Sequence, residues 1–245
     1  MPEGPSIVIL KESVSEFTGR KIIQVNGNSK SGIDKLQNKK IISFRSWGKH
    51  FLICFPRFYV RIHLMLFGSY RINEEKENAS PRLGIHLTNG YFNFYNCSIK
   101  IVDGDVDDDY DWRTDVMSSH WDSKLAMKKI NETPDRMICD VLMDQSIFSG
   151  VGNIIKNEVL FRMRVHPESF VSAIPQLKLK AIVRDARKYC FLFYEWKKLF
   201  VLRKHWKIYR SKSCPRCHIK PLIKATGLGK RKSFICTNCQ LLYHK

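Results

Sequence analysis

The chain has 245 residues, with 42 Lys plus Arg against 23 Asp plus Glu, which gives a formal net charge of +19 at pH 7. This positive excess predicts a polyanionic partner, with nucleic acid as the first candidate and a membrane surface as the second. No apolar run approaches the ~20 residues that cross a bilayer, and the N-terminus lacks the pattern of a signal peptide. We therefore expect a soluble intracellular protein, cytoplasmic or, in a bacterium, associated with the nucleoid.

Residues 1–115 have the pattern of a β-rich domain behind one helix. The helix is expected from about Ser6 to Phe17, with Gly19 as its stop. Short runs such as "YVRIHLMLFGSYRI" are rich in β-branched and aromatic residues and are broken by Asn-Gly, Ser-Gly and Trp-Gly steps, which predicts a β-sandwich or barrel. The acidic stretch from Asp103 to Asp115 is expected to be a solvated loop.

After a linker at residues 116–120 the pattern becomes helical. Segments such as "PDRMICDVLMDQ" and "GNIIKNEVLFRM" space apolar residues by three and four positions. We predict a helical domain over residues 116–203 and a small third unit over residues 204–245. The predicted fold class is multidomain α+β, with an N-terminal helix plus β-sandwich, a helical domain and a C-terminal hairpin.

The third unit contains two CxxC pairs, separated by eighteen residues. Their cysteines are Cys214, Cys217, Cys236 and Cys239. Two such pairs hold four thiolates around zinc, and the intervening segment folds as a zinc-ribbon β-hairpin. A disulfide pair is the alternative, which a reducing cytosol disfavours. With four cysteine ligands the zinc would be structural, and the basic hairpin, including Arg231, would contact phosphates.

The segment "DQSIFSGVGNIIKNEVLF" has two interpretations. A helix ending near Ser149, a turn with Gly150 and Gly152, and a helix from Asn153 would direct free backbone N–H groups and an amide side chain at an anion such as phosphate. The alternative is that glycine and asparagine only end one helix and cap the next.

The opening "MPEGP" raises a chemical hypothesis. Removal of Met1 would leave the nitrogen of Pro2 as a free secondary amine, which can attack an aldehyde carbon to give an iminium ion and so permit β-elimination. Glu3 beside it can shuttle the proton. The alternative is a start sequence without function.

In this order along one chain, the features resemble the formamidopyrimidine-DNA glycosylase and endonuclease VIII family of bifunctional base-excision enzymes. "MPEGP" is similar to the family's N-terminus, "GKHFL" to its hairpin lysine, "DQSIFSGVGNIIKNE" to its helix–two-turn–helix motif and "RKSFICTNCQ" to its zinc finger. The resemblance implies a monomeric DNA glycosylase and AP lyase that acts on damaged double-stranded DNA and holds one structural zinc.

The resemblance also implies catalytic roles. Pro2 would be the nucleophile on the sugar C1′, and Glu3 the general acid/base that assists base loss and sugar opening. Lys49 would bind a phosphate flanking the lesion and orient the site. The damaged nucleotide would be flipped out, because its glycosidic carbon is not reachable inside the base stack.

The remaining implied roles concern DNA binding. Asn153 and Arg231 would bind phosphates, and Glu158 would order the helix–two-turn–helix motif from inside. Leu66 stands where many members have an intercalating methionine, and it would act as an apolar wedge. Ser6 stands where many members have glutamate. The segment "YNCSIKIVD" lacks the arginine-phenylalanine pair that fills the gap left by a flipped base, so that role is unassigned.

The length of the segment between the last long helix and the cysteines indicates which lesion is excised. Members that excise oxidised purines close a flexible, often glycine-bearing loop over the base, whereas the stretch from Leu202 to Ser213 is short and has no glycine. We therefore expect excision of oxidised pyrimidines with β/δ-elimination. The alternatives are an 8-oxoguanine/formamidopyrimidine-specific enzyme of the family, a catalytically inactive DNA-binding zinc protein and a purely structural nucleic-acid-binding ribbon.

Overall fold

The computed structural model describes residues 2–244. They form two compact units, and the boundary falls between Asp111 and Trp112. Each unit has its own core of buried apolar side chains, and the helices of the second unit share one core with the C-terminal hairpin. The three-domain division with boundaries at residues 115 and 203 stays a prediction.

The first unit is a helix followed by two antiparallel sheets. Helix α1 spans Gly4–Ser13. The strands are β1 (Ile22–Asn26), β2 (Ser43–Trp47), β3 (His50–Cys54), β4 (Phe58–His63), β5 (Ser69–Ile72), β6 (Leu83–Leu87), β7 (Gly90–Tyr95) and β8 (Ser98–Asp103). One sheet has the order β1-β6-β7-β5 and the other β2-β3-β4-β8.

Aromatic side chains from the two sheets meet in the core of this unit. The rings of Phe44 on β2 and Phe92 on β7 lie 6.0 Å apart, and those of Phe51 on β3 and Phe94 on β7 lie 5.7 Å apart. Aromatic pairs at these distances add to the free energy gained by burying their area. The predicted N-terminal helix plus β-sandwich is confirmed.

Helix α1 ends earlier than predicted. It stops at Ser13, and a separate 3-10 turn covers Ser15–Phe17. The hydroxyl of Ser13 donates to the Ile9 carbonyl at 2.8 Å, a local bond that competes with the continuing helix.

The acidic stretch is not only a solvated loop, so that prediction is wrong in part. It contains the short helix α2 (Val106–Asp109), in which Asp105 caps the N-terminus by accepting from the N–H of Asp107 at 2.9 Å. Asp107 pairs with Arg45 at 2.7 Å, and the hydroxyl of Tyr59 donates to Asp109 at 2.6 Å. These contacts hold the stretch against the β2–β4 part of its sheet.

The second unit contains helices and a hairpin. The helices are α3 (Ser123–Asn131), α4 (Ile138–Met143), α5 (Asn153–Arg162) and α6 (Gln176–Lys198), and the hairpin strands are β9 (Leu222–Thr226) and β10 (Arg231–Ile235). The helical domain and the C-terminal hairpin of the predicted fold are therefore confirmed. Within residues 2–244, no helix is both long and apolar enough to cross a bilayer.

Helix α4 ends at Met143 and not near Ser149 as expected. The carboxylate of Asp144 accepts from both the backbone N–H and the hydroxyl of Ser146, at 2.9 and 2.7 Å. This local turn replaces the next helical hydrogen bonds. Gln145 then accepts from the N–H of Gly150 at 3.1 Å and so shapes the second turn before α5.

Helix α5 is buried from Asn153 to Phe161, polar residues included. The fully buried carboxylate of Glu158 accepts from the N–H groups of Lys207, Ile208 and Tyr209 at 2.8–3.1 Å. Burial raises the pKa of Glu158, and the three N–H donors oppose that shift. Glu158 thus fixes the segment that leads from α6 to the cysteines.

Replacing Glu158 with alanine should destabilise the second unit. The buried N–H groups of Ile208 and Tyr209 would lose their acceptor, and we expect the free energy of unfolding to fall by about 3 kcal/mol. Denaturant titration measures this. The matched control is Glu132→Ala at an exposed carboxylate after α3, with an expected change within about 0.5 kcal/mol. Equal effects of the two substitutions would contradict the role of Glu158.

Candidate functional site

Pro2 and Glu3 lead directly into helix α1. Pro2 is half-buried, and Glu3 is fully buried. Glu3 is the N-cap residue with an extended backbone, and its carbonyl accepts from the N–H of Ser6 at 2.8 Å. Pro5 in the first turn needs no hydrogen-bond acceptor and has the φ that a helix requires. Glu3 is therefore a buried acidic residue at the start of α1.

Lys49 lies in the two-residue turn between β2 and β3. Trp47 and His50 face each other across this turn, and Gly48 has a φ of 53°. A positive φ at the first central position is what tight hairpin turns require, and glycine adopts it without strain. The turn therefore presents Lys49 at the end of a regular strand pair.

Two histidines stand beside Lys49. His50 and His63 are partners across β3 and β4, with ring centroids 5.6 Å apart. Burial lowers the pKa of His50 to about 4, with contributions from Arg61, His63 and Lys49. Burial, Lys49 and Arg61 also lower the pKa of His63. Both rings are therefore neutral at pH 7, and the positive charge here belongs to Lys49 and Arg61.

The loop between β4 and β5 presents Leu66 together with two apolar neighbours. Met65, Leu66 and Phe67 are 52%, 45% and 79% exposed. Sequence reasoning found Leu66 and missed Met65 and Phe67. The available signal was the apolar run "LMLF". Such a run occurs both at the end of a buried strand and in an exposed loop, so its composition does not reveal which side chains are exposed.

One hydrogen bond and one glycine shape the base of this loop. His63 Nδ1 accepts from the N–H of Met65 at 3.2 Å, which leaves the Nε2–H of the neutral ring as a donor. A Cβ on Gly68 would collide with the carbonyl oxygen of Leu64, so only glycine fits there. Leu64 itself is buried, so the loop is anchored next to its three exposed side chains.

In the second unit, Asn153 is the first residue of α5. Its Nδ2 donates to the carbonyl of Lys232 on β10 at 3.0 Å, while its Oδ1 is buried without a hydrogen-bond partner. The amide is thus directed at the hairpin. Asn153 is only 7% exposed, a degree of burial that could not be predicted from the sequence.

Arg231 is the exposed first residue of β10. The turn before it is held by Asp140 of α4, whose carboxylate accepts from the N–H of Leu228 at 3.0 and 3.1 Å. Gly227 has a φ of 68°, and a Cβ there would collide with that carboxylate. The side chain of Asn153, from the start of α5, therefore contacts β10 at Lys232, the residue next to Arg231.

The four cysteines of the CxxC pairs lie together. All four Sγ atoms lie within 4.8 Å of one another, with separations of 3.2 Å for Cys217–Cys236, 3.5 Å for Cys217–Cys239 and 3.7 Å for Cys214–Cys239. Four thiolates at ~2.3 Å from a tetrahedral zinc are about 3.8 Å apart. The cluster can bind a metal ion, and a disulfide is not needed to explain the spacing.

Two domain models match the chain. The formamidopyrimidine-DNA glycosylase N-terminal domain matches residues 1–98, and the formamidopyrimidine-DNA glycosylase H2TH domain, the helix–two-turn–helix domain, matches residues 114–190. The chain belongs to the formamidopyrimidine-DNA glycosylase and endonuclease VIII family.

Curated relatives place the chain on the endonuclease 8-like side of this family. Mouse endonuclease 8-like 3 is 32% identical over 233 residues, which are 91% of this chain and 36% of the relative. Bovine endonuclease 8-like 2 is 30% identical over 205 residues, which are 74% of this chain and 58% of the relative. The chain thus spans between about a third and somewhat over half of the length of these two relatives.

Solved structures of the family share the fold. A viral DNA glycosylase superposes with a TM-score of 0.83 at 22% identity, covering 98% of this chain and 100% of that one. Lactococcus lactis formamidopyrimidine-DNA glycosylase, crystallised with DNA that contains an AP site, superposes with a TM-score of 0.84 at 18% identity over 97% of this chain and 99% of its own. The fold expected from the sequence is therefore confirmed.

Proposed function

We propose that this family member is a DNA glycosylase with AP lyase activity that removes oxidised bases from double-stranded DNA in base excision repair. The observation that carries the proposal is the "MPEGP" start within the matched N-terminal domain, where Glu3 is buried at the beginning of α1. Family membership and neighbours crystallised with AP-site DNA support the same activity.

In the proposed reaction Pro2 is the nucleophile. Once its nitrogen is a free terminal amine, its lone pair attacks C1′ and the base leaves with the glycosidic electrons. The attacking nitrogen gives up its N–H proton, and opening of the sugar ring with protonation of the ring oxygen gives an iminium ion, which keeps its charge because the proline nitrogen has no further proton to lose. Loss of a C2′ proton then expels the 3′ phosphate, a second elimination expels the 5′ phosphate, and water releases the sugar fragment from the amine.

Glu3 is proposed as the general acid/base. A carboxyl group beside Pro2 can protonate the sugar oxygen during ring opening and later accept a proton. Its burial at the start of α1 supports this role, because burial restrains the position of its side chain beside Pro2. Lys49, in the turn between β2 and β3, is proposed to hold a phosphate beside the lesion.

Binding to DNA is proposed to rest on phosphate contacts and an apolar wedge. Asn153, at the start of α5, and Arg231, on β10, would bind the DNA backbone, and the net charge of +19 supports strong, salt-sensitive attraction. Leu66, with Met65 and Phe67, would enter the duplex where the base is flipped. The chain lacks the arginine-phenylalanine pair that fills the gap left by a flipped base. Met65 and Phe67, the exposed neighbours of Leu66, are candidates for that role.

Oxidised pyrimidines are proposed as the substrates. The segment after α6 is tied down, which supports the absence of a mobile cap over the base. His205 stacks on Trp196 with ring centroids 4.1 Å apart, and Glu158 holds residues 207–209. Thymine glycol and 5-hydroxycytosine need less help from such a cap than 8-oxoguanine.

The metal in the cysteine cluster is proposed to be one structural zinc. Four thiolates leave no open position for water, so the ion would stabilise the hairpin and take no part in the reaction.

Blocking the amine of Pro2 should abolish strand cleavage. We expect a variant with residues left ahead of Pro2 to cleave abasic duplex no faster than a buffer control, because the nitrogen is then an amide. Fluorescence anisotropy on the same duplex should show unchanged affinity. As a matched control, an extension beyond Lys245 should cleave normally. Full cleavage by the blocked protein would overturn the assignment.

Lesion choice is measured by single-turnover excision on matched duplexes. Thymine glycol should be excised faster than 8-oxoguanine opposite cytosine, since the segment after α6 is held by Trp196 and Glu158. The reverse order would favour the formamidopyrimidine-type alternative.

Elemental analysis should find one zinc per chain, and Cys236→Ser should lose the metal and lower both the melting temperature and the DNA affinity. Cys54→Ser, outside the cluster, is the control and should keep the metal. Metal-free native protein that binds DNA normally would rule out the zinc proposal.

A further inference from the structure

A groove runs between α3 and α6 on the second unit. It has a volume of about 810 Å³, and its walls are formed by residues of these two helices with Trp121 at one end. None of the residues proposed above to act on DNA lines it. The groove is thus a separate feature of the helical part of the chain.

The walls of the groove are strongly basic. Six cationic side chains line it and no acidic one does: Lys124, Lys128, Lys180, Arg184, Arg187 and Lys188. On α6, positions 180, 184 and 188 repeat every four residues, so the charges recur about every 6 Å along one face. The nearby carboxylate of Asp122 already caps α3 by accepting from the N–H groups of Lys124 and Leu125 at 2.8 and 3.1 Å.

The floor of the groove is apolar. Met127 and Val183 lie between the charged walls, and Phe191, 41% exposed, lies towards the same end as Trp121. Arg187 donates to the carbonyl of Ser118 at 3.2 Å and lies 5.7 Å from the ring of Phe191. Part of the wall is therefore already fixed before any partner binds.

We propose that this groove binds a short acidic segment of a partner protein that presents apolar side chains on one face. The cationic walls complement carboxylates, and the floor offers apolar surface that releases water when covered. From Lys180 to Phe191 the groove is about 17 Å long, which matches about three turns of a helix laid into it.

Nucleic acid fits these features less well. A duplex presents a convex, hydrated backbone that gains nothing from an apolar floor. Single strands bind by stacking bases on several exposed rings. Of the two aromatic side chains that line the groove, only Phe191 is exposed, since Trp121 is 8% exposed. The inference is independent of the proposed catalytic function, because no glycosylase residue takes part in it.

The test uses the full chain and a labelled synthetic peptide, with leucine and phenylalanine at i, i+3, i+4 and i+7 and glutamate elsewhere. Fluorescence anisotropy should show saturable binding. Lys180→Glu with Arg184→Glu should weaken it at least about tenfold, and Phe191→Ser should weaken it as well. Lys21→Glu with Lys40→Glu, equal in charge but outside the groove, should leave the affinity within about twofold.

Three outcomes would overturn the proposal. They are no saturable binding of the peptide, equal weakening by the two charge-reversed pairs, and equal binding of a scrambled peptide without an apolar face. A single-stranded oligothymidylate is tested in the same way. If it binds the protein and only the Lys180→Glu with Arg184→Glu variant loses that binding, the groove is a nucleic-acid site instead. Both charge-reversed pairs should have the melting temperature and the abasic-DNA cleavage of the unsubstituted protein. This comparison shows that the fold and the catalytic site are intact.

Discussion

One asparagine amide on helix α5 joins the helical core to the hairpin that carries Arg231. Asn157 Oδ1 accepts from the N–H of Phe234 at 2.8 Å, and its Nδ2 lies 3.3 Å from the carbonyl of Lys232. These two backbone groups are two residues apart on the edge of β10 that faces away from β9. A two-stranded hairpin is at most marginally stable by itself. The amide occupies the place that a third strand would take, and it fixes the register of β10 against α5.

The contacts around this amide form one buried polar network. Lys156 Nζ donates to Ser233 Oγ at 2.8 Å, and that hydroxyl is 2.6 Å from Thr226 Oγ1 on β9. In the low dielectric of the core each of these bonds is strong, and each unpaired group would be costly. The cysteine cluster is therefore a second anchor of the hairpin in addition to this network. Arg231 is displayed on a strand that is held from both ends.

Features that depend on residue spacing could be predicted from the sequence. Features that depend on tertiary contacts could not. Alternating apolar runs and the CxxC pairs specify the sandwich and the cysteine cluster, because period and ligand spacing are local properties. The early end of α4 depends on the turn that Asp144 forms with Ser146. Because aspartate also favours helix N-termini, its presence in the sequence does not identify the end of a helix. The buried amide of Asn153 and the exposed ring of Phe67 depend on neighbours far away in the chain or on the loop backbone. Glu158 was expected to act inside its own motif, and in the structure it binds residues 207–209.

If Pro2 is the nucleophile, as proposed, its amine forms a covalent bond with the sugar. Borohydride reduces an iminium ion to a stable amine and so links the protein to abasic DNA. Digestion of the adduct and mass spectrometry then locate the modified residue. The DNA fragment should be attached to the peptide that begins with Pro2. Attachment to a lysine such as Lys49, or the absence of an adduct while the strand is cleaved, would contradict that proposal.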